Sequence, residues 1–206
     1  MLKKVVDGIL AGIMIAIGGC VFLSLYADNK IIGAILFSVA LLSICFKGYS
    51  LFTGKVGFIP LSHTKEDFSV LLLGLLGNAI ATIFLGIAVK FAMPSISDTA
   101  TLICSAKLDQ TFFAAILKAF FCGILMYMAV AIFKEHKSVS GIFFCVPVFI
   151  LSGFEHSIAN LFYFAASDIV SLKAFLYIVV IIIGNAIGGM VLPALSLIGG
   201  NKNASK

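Results

Sequence analysis

Two adjacent residues, Glu155 and His156, lie in one of the most apolar parts of the chain, within Ser152-Gly153-Phe154-Glu155-His156-Ser157-Ile158-Ala159-Asn160. A carboxylate beside an imidazole can hold, pass or orient a proton. Of the nine acidic residues, the other eight fall in loops or near the ends of apolar stretches. A charge at the centre of a bilayer costs roughly 2.5–3.5 kcal/mol even on insertion scales, so Glu155 needs a partner or an aqueous cavity. Glycines and polar groups around it interrupt the helical pattern. Non-helical backbone at that depth is tolerated only against protein or water. The segment from Gly153 to Asn160 is therefore expected to line a pathway. A hydrogen bond from the Glu155 carboxylate to one ring nitrogen would set the tautomer of His156. The plainer role open to the pair is to fix helix packing.

The elements that must position this pair follow from composition. The chain has 206 residues, 62% hydrophobic and 11% charged, with a mean hydropathy of +1.19. A soluble domain of this size could not hide so much apolar surface. A spanning helix needs about 20 apolar residues, so six fit in one membrane domain covering residues 1–206. The pattern predicts spans from about Val5 to Leu25, Ile31 to Leu61, Phe68 to Val89, Phe112 to Phe133, Ser140 onward, and Leu172 to Ile198. The second is interrupted at Lys47-Gly48-Tyr49-Ser50-Leu51-Phe52-Thr53-Gly54-Lys55 and the fifth around Glu155. Met93 to Gln110 reads as a polar stretch. The chain start carries no recognisable cleavage site.

All basic residues other than histidine are lysines. Loops on the N-terminal side carry Lys3, Lys4, Lys65, Lys134, Lys137, Lys202 and Lys206, against Lys30, Lys90, Lys107 and Lys173 opposite. The positive-inside bias places both termini in the cytoplasm and the protein in the cytoplasmic membrane. Lys118, inside the fourth span, is read as snorkelling to the interface or facing another subunit. His63 and His136 fall among charges in loops and read as solvated. Five cysteines occur without metal-ligand spacing and read as small buried hydrophobes. No dense basic face suggests a nucleic-acid partner. One deep histidine without a second axial ligand argues against a haem enzyme, so no enzyme activity and no cofactor are expected.

The halves look related. Gly77-Asn78-Ala79-Ile80 recurs as Gly184-Asn185-Ala186-Ile187, and the interrupted second span corresponds to the interrupted fifth. Three spans per half make an inverted repeat, with halves at about 1–92 and 110–200. Paired broken helices point to a site at the midplane.

The stretch from Ser152 to Phe162 resembles the GFEHS-x-AN-x-F signature of the formate/nitrite transporter family. Leu51-Phe52-Thr53-Gly54 is similar to that family's Leu-Phe-Thr-Gly element, and Gly184-Asn185-Ala186-Ile187-Gly188-Gly189 to its GN-x-x-GG. The resemblance implies an all-α membrane protein: six transmembrane helices in an aquaporin-like inverted repeat, with helices two and five broken. It further implies a homopentamer in membrane lipid, with a pore in each subunit for formate, nitrite or hydrosulfide. The family's central histidine falls on His156, its threonine on Thr53, its nearby asparagine on Asn160, and its vestibule lysine on Lys107. Leu51 and Phe52 match an apolar constriction. Glu155 belongs to the signature. In helix four Gly123 stands where the family commonly carries asparagine, so one polar group is absent. The expected mechanism draws an anion to Lys107, passes it through the apolar ring, and lets His156 share a proton with it. Proton-coupled transport through the same site and a neutral-solute pore are the alternatives.

Overall fold

Helix starts along this chain are written in short polar side chains. Asn29, Thr111 and Ser171 each accept a hydrogen bond from the backbone N–H three residues on, satisfying a donor that the first helical turn leaves free. Thr64 and Asp67 form a reciprocal capping box. Stops are equally local: Gly48 takes a left-handed conformation with φ 72°, as do His63 and Lys137.

The computed structural model describes residues 1–200. Its helices are α1 (Leu2–Ser24), α2 (Lys30–Lys47), α3 (Phe52–Lys55), α4 (Ile59–Ser62), α5 (Lys65–Ala92), α6 (Pro94–Leu108), α7 (Phe112–His136), α8 (Ser140–Leu151), α9 (Ser157–Ala166) and α10 (Leu172–Ile198). A 3₁₀ turn, Val56–Phe58, joins α3 to α4. No strand occurs among the described residues. Lys202 and Lys206, used above for orientation, lie outside them.

Among the described residues five helices are long and apolar enough to cross a membrane: α1, α2, α5, α7 and α10. Six spans were expected. The fifth expected span is occupied by two shorter apolar helices, α8 of 12 residues and α9 of 10. The polar stretch from Met93 to Gln110 is also helical. Pro94 stands near the start of α6, where its missing N–H costs nothing. Ala100 and Cys104 of α6 are fully buried, and the helix packs on α9.

Two parallel helix pairs, α1 with α5 and α7 with α10, pack most extensively. Both approach through small residues. A Cβ on Gly12 would stand 2.7 Å from the Ala81 Cβ and 2.8 Å from the Asn78 carbonyl oxygen, and one on Gly184 2.6 Å from the Ala119 Cβ. Lipid tails are as apolar as leucine, so helices in a bilayer associate through such close contact and interhelical hydrogen bonds. Large apolar side chains face outward, among them Phe84, Phe91 and Phe144. On a water-soluble monomer such a surface would aggregate.

Candidate functional site

The site is assembled where two helices stop short. After α2 the chain turns at Gly48, and after α8 at Gly153, whose φ of 68° suits a residue without a Cβ. Each break leaves backbone groups without helical partners, and buried ones must be satisfied. Two asparagines do this in the same way. Asn78 on α5 accepts from the Phe52 N–H at 2.9 Å and donates to the carbonyls of Ser50, at 2.9 Å, and Gly8, at 2.8 Å. Asn185 on α10 accepts from the Ser157 N–H at 2.8 Å and donates to the carbonyls of Glu155, at 2.7 Å, and Ala119, at 2.8 Å. Both are fully buried. Each ties three chain segments together: a break, the start of the short helix after it, and a neighbouring long helix. These are the asparagines of the repeated Gly-Asn-Ala-Ile.

The breaks bring Thr53 and His156 together. Thr53 Oγ1 lies 2.9 Å from His156 Nε2, although 103 residues separate them. Both are buried. The other ring nitrogen is already committed: Nδ1 accepts the Ala159 N–H at 3.1 Å, making His156 the N-cap of α9. A neutral imidazole that accepts on Nδ1 carries its proton on Nε2, so His156 donates to Thr53. The Thr53 hydroxyl hydrogen is then free for another acceptor. Phe149 stacks on the imidazole, with centroids 5.6 Å apart and planes 23° from parallel.

Glu155 behaves differently from the sequence-based expectation. Its carboxylate is buried at 1% exposure and does not hold the adjacent imidazole. It accepts from Lys107, from Gln110 Nε2 at 3.0 Å and from Asn160 Nδ2 at 2.9 Å. Lys107 is thus joined to Glu155 rather than left as an isolated positive charge. The chain continues outward, since Gln110 Oε1 accepts from Lys118 Nζ at 2.6 Å. Lys107, Lys118, Glu155, His156 and Asn160 all border one cavity of about 460 Å³. Lys118 therefore borders this cavity.

Leu51 and Phe52 flank Thr53 and are buried at 1% and 5% exposure. Leu51 borders a second, smaller cavity of about 110 Å³ with Lys55 and Lys134. His63 and His136 are exposed. Gly123 does not face the cavity through a missing side chain. A Cβ there would meet the α10 backbone at Asn185 and, 2.7 Å away, the Gly189 nitrogen. The position serves the contact between α7 and α10, and there is no room for asparagine. No group of residues suited to holding a metal ion occurs among the described residues.

Sequence reasoning missed Gln110, Lys118 and the capping asparagines as site residues. A buried asparagine in an apolar helix must find partners, so the repeated Gly-Asn-Ala-Ile could have located the last two. Gln110 and Lys118 carried no such signal.

A profile of the formate/nitrite transporter family matches residues 1–198. The chain belongs to the formate/nitrite transporter family. Among curated relatives, the uncharacterized transporter YrhG of Bacillus subtilis is 25% identical, over 91% of this chain and 81% of YrhG. The formate channel FocA of Haemophilus influenzae is 25% identical over 65% of this chain and 52% of its own length. The nitrite transporter NirC of Salmonella typhimurium is 29% identical over 64% of this chain and 54% of its own. The matches to FocA and NirC thus span about half of those proteins. Two solved structures share the fold. One, described as an FNT family ion channel, has a TM-score of 0.82, with 22% identity over 97% of this chain and 90% of its own. The other, a pentameric formate channel with formate bound, has a TM-score of 0.78, with 24% identity over 96% of each chain. The family consists of membrane channels and transporters for formate and nitrite, and this chain is one of its multi-pass members.

Proposed function

We propose that this chain forms a pore for small monovalent weak-acid anions, formate, nitrite or hydrosulfide, across the cytoplasmic membrane, with both termini in the cytoplasm. The observation that carries the reading is the Thr53–His156 hydrogen bond, which joins two helix breaks beside a lysine-bordered cavity. In this reading there are six crossings: α1, α2, α5, α7, α10 and a broken one made by α8 and α9. The break between α2 and α3 is its counterpart in an inverted repeat, a relation supported by the matched hydrogen bonds of Asn78 and Asn185. The outward apolar surface suits lipid and the neighbours of a homopentamer.

An anion enters the cavity, which His156 borders, and passes inward from there to the Thr53 hydroxyl, the donor left free by the His156 tautomer. Leu51 and Phe52 form the apolar barrier beyond. Stripping an ion there is costly, so passage is easiest for the base of a weak acid that takes up a proton on the way. The geometry argues against His156 supplying that proton. Charging the ring would place a hydrogen on Nδ1, facing the Ala159 N–H, and undo the cap of α9. His156 is thus a fixed donor that orients Thr53, and the proton reaches the anion from bulk solvent through the cavity. This modifies the expectation that His156 itself shares a proton.

The test is flux of formate, nitrite, hydrosulfide and chloride into liposomes holding the purified protein, with proton movement recorded alongside. Saturable flux of one weak-acid anion that exceeds chloride flux is expected. Absence of flux for all of them in folded protein would sink the reading.

A further inference from the structure

We propose that Lys118 is a second anion-binding group of the large cavity, and the one whose charge draws small monovalent anions into it. This rests on the pore reading given above and names a residue that reading does not use. The cavity is bordered by three lysines, Lys30, Lys107 and Lys118, and by one carboxylate, Glu155. Lys107 forms the ion pair with that carboxylate, so together they approach neutrality when seen from the cavity. Lys30 sits over the Tyr26 ring at the outer end, 5.4 Å from its centroid. Among the described residues Lys118 has no carboxylate partner. Its ammonium donates to the neutral Gln110 amide, whose own N–H groups reach Glu155 at 3.0 Å and the Tyr177 hydroxyl at 3.3 Å. The amide fixes where the ammonium sits without cancelling its charge. An ammonium has three donors, and this one has a single partner among the described residues.

A half-buried, tethered cation without a counter-ion at the wall of a concave, low-dielectric cavity focuses field and concentrates anions. The partner is a small monovalent anion, held by charge and one or two hydrogen bonds before it moves inward to Thr53. Lys118 is the residue before Ala119, whose carbonyl Asn185 holds. The tie that closes the second break therefore also fixes the helix segment that carries the lysine.

The experiment compares wild type, Lys118→Met, Lys118→Gln and Lys118→Arg in liposomes. Initial flux is measured against anion concentration at low and high ionic strength, the latter set with a bulky impermeant salt. For Lys118→Met and Lys118→Gln at low ionic strength, half-saturation should rise about fivefold or more, the effect of one nearby charge in a partly screened cavity. The maximal rate should fall less than affinity does, and the dependence on ionic strength should flatten. Lys118→Arg should keep both properties of wild type. Lys118→Gln retains a group able to bond Gln110, so it decides the matter if the methionine variant fails to fold. A neutral variant with wild-type half-saturation, or an arginine variant that behaves like the neutral ones, overturns the proposal. Wild type that carries none of the anions overturns the pore reading itself, and this inference with it.

Discussion

Replacing Asn185 with alanine should destabilise the protein about as much as replacing Asn78, and both should cost far more than a surface substitution. Each side chain makes three hydrogen bonds to backbone atoms of other segments and is fully buried. Interhelical side-chain bonds in membranes average ~0.6 kcal/mol, which for three gives about 2 kcal/mol as a floor. The groups left behind lie at a break, where no intrahelical partner stands ready. A buried orphan donor or acceptor costs ~1–3 kcal/mol, so a loss of about 2–5 kcal/mol is expected for each variant. Asn185→Asp should be no milder than alanine. A carboxylate can still accept from Ser157, but it cannot donate to the carbonyls of Glu155 and Ala119. Reversible unfolding in mixed micelles with increasing SDS, followed by circular dichroism, measures all three. A loss below about 1 kcal/mol for Asn185→Ala would refute the claim that these side chains hold the breaks closed. So would a difference of several kcal/mol between the alanine variants, because their hydrogen-bond sets are the same.

Three further outcomes follow from the same structure. Gly123→Ala should disturb the contact of α7 with α10 and lower stability by about 1–3 kcal/mol or more, because its Cβ meets backbone rather than a flexible side chain. Gly153→Ala has open space around it and should cost only the left-handed strain of about 1–2 kcal/mol. Asp67, in the capping turn ahead of the apolar stretch that begins at Phe68, accepts hydrogen bonds from the Thr64 and Ser62 hydroxyls and the Thr64 backbone N–H. Asp67→Asn removes the charge that strengthens these bonds and should speed amide exchange in the first turn of α5. Hydrogen exchange of that turn, compared with wild type, reads it out.

Much of this arrangement was legible in the residues. Long apolar runs reported α1, α5, α7 and α10 almost to their ends, because lipid imposes a length and forbids charges. The polar signature around Glu155 marked a break for the same reason. The repeated Gly-Asn-Ala-Ile signalled a shared task, though not that both asparagines serve backbone groups at the breaks. What stayed hidden depends on tertiary contact. Helix α6 is rich in serine and threonine, and its helicity rests on packing against α9. The partners of Glu155 come from Lys107 and Gln110, more than 40 residues away in sequence, and adjacency to His156 suggested a different pairing. Lys118 looked like a snorkelling residue on an apolar helix, and only the placement of α7 beside the second break turns it toward the cavity. Gly123 read as a missing polar group, whereas the space it would need is filled by the α10 backbone.

The most direct test of the account is anion flux in liposomes through Thr53→Val and Thr53→Ser, set beside wild type. Valine keeps the shape at Thr53 and removes the hydroxyl that His156 orients. A hydrogen bond to a charged group is worth ~1.5–3 kcal/mol, so Thr53→Val should lower flux of the transported anion by about ten- to a hundredfold. Serine keeps the donor and should retain most of the flux. Equal flux through the valine variant and wild type, both folded and equally incorporated, would contradict the claim that the anion passes at the Thr53–His156 junction.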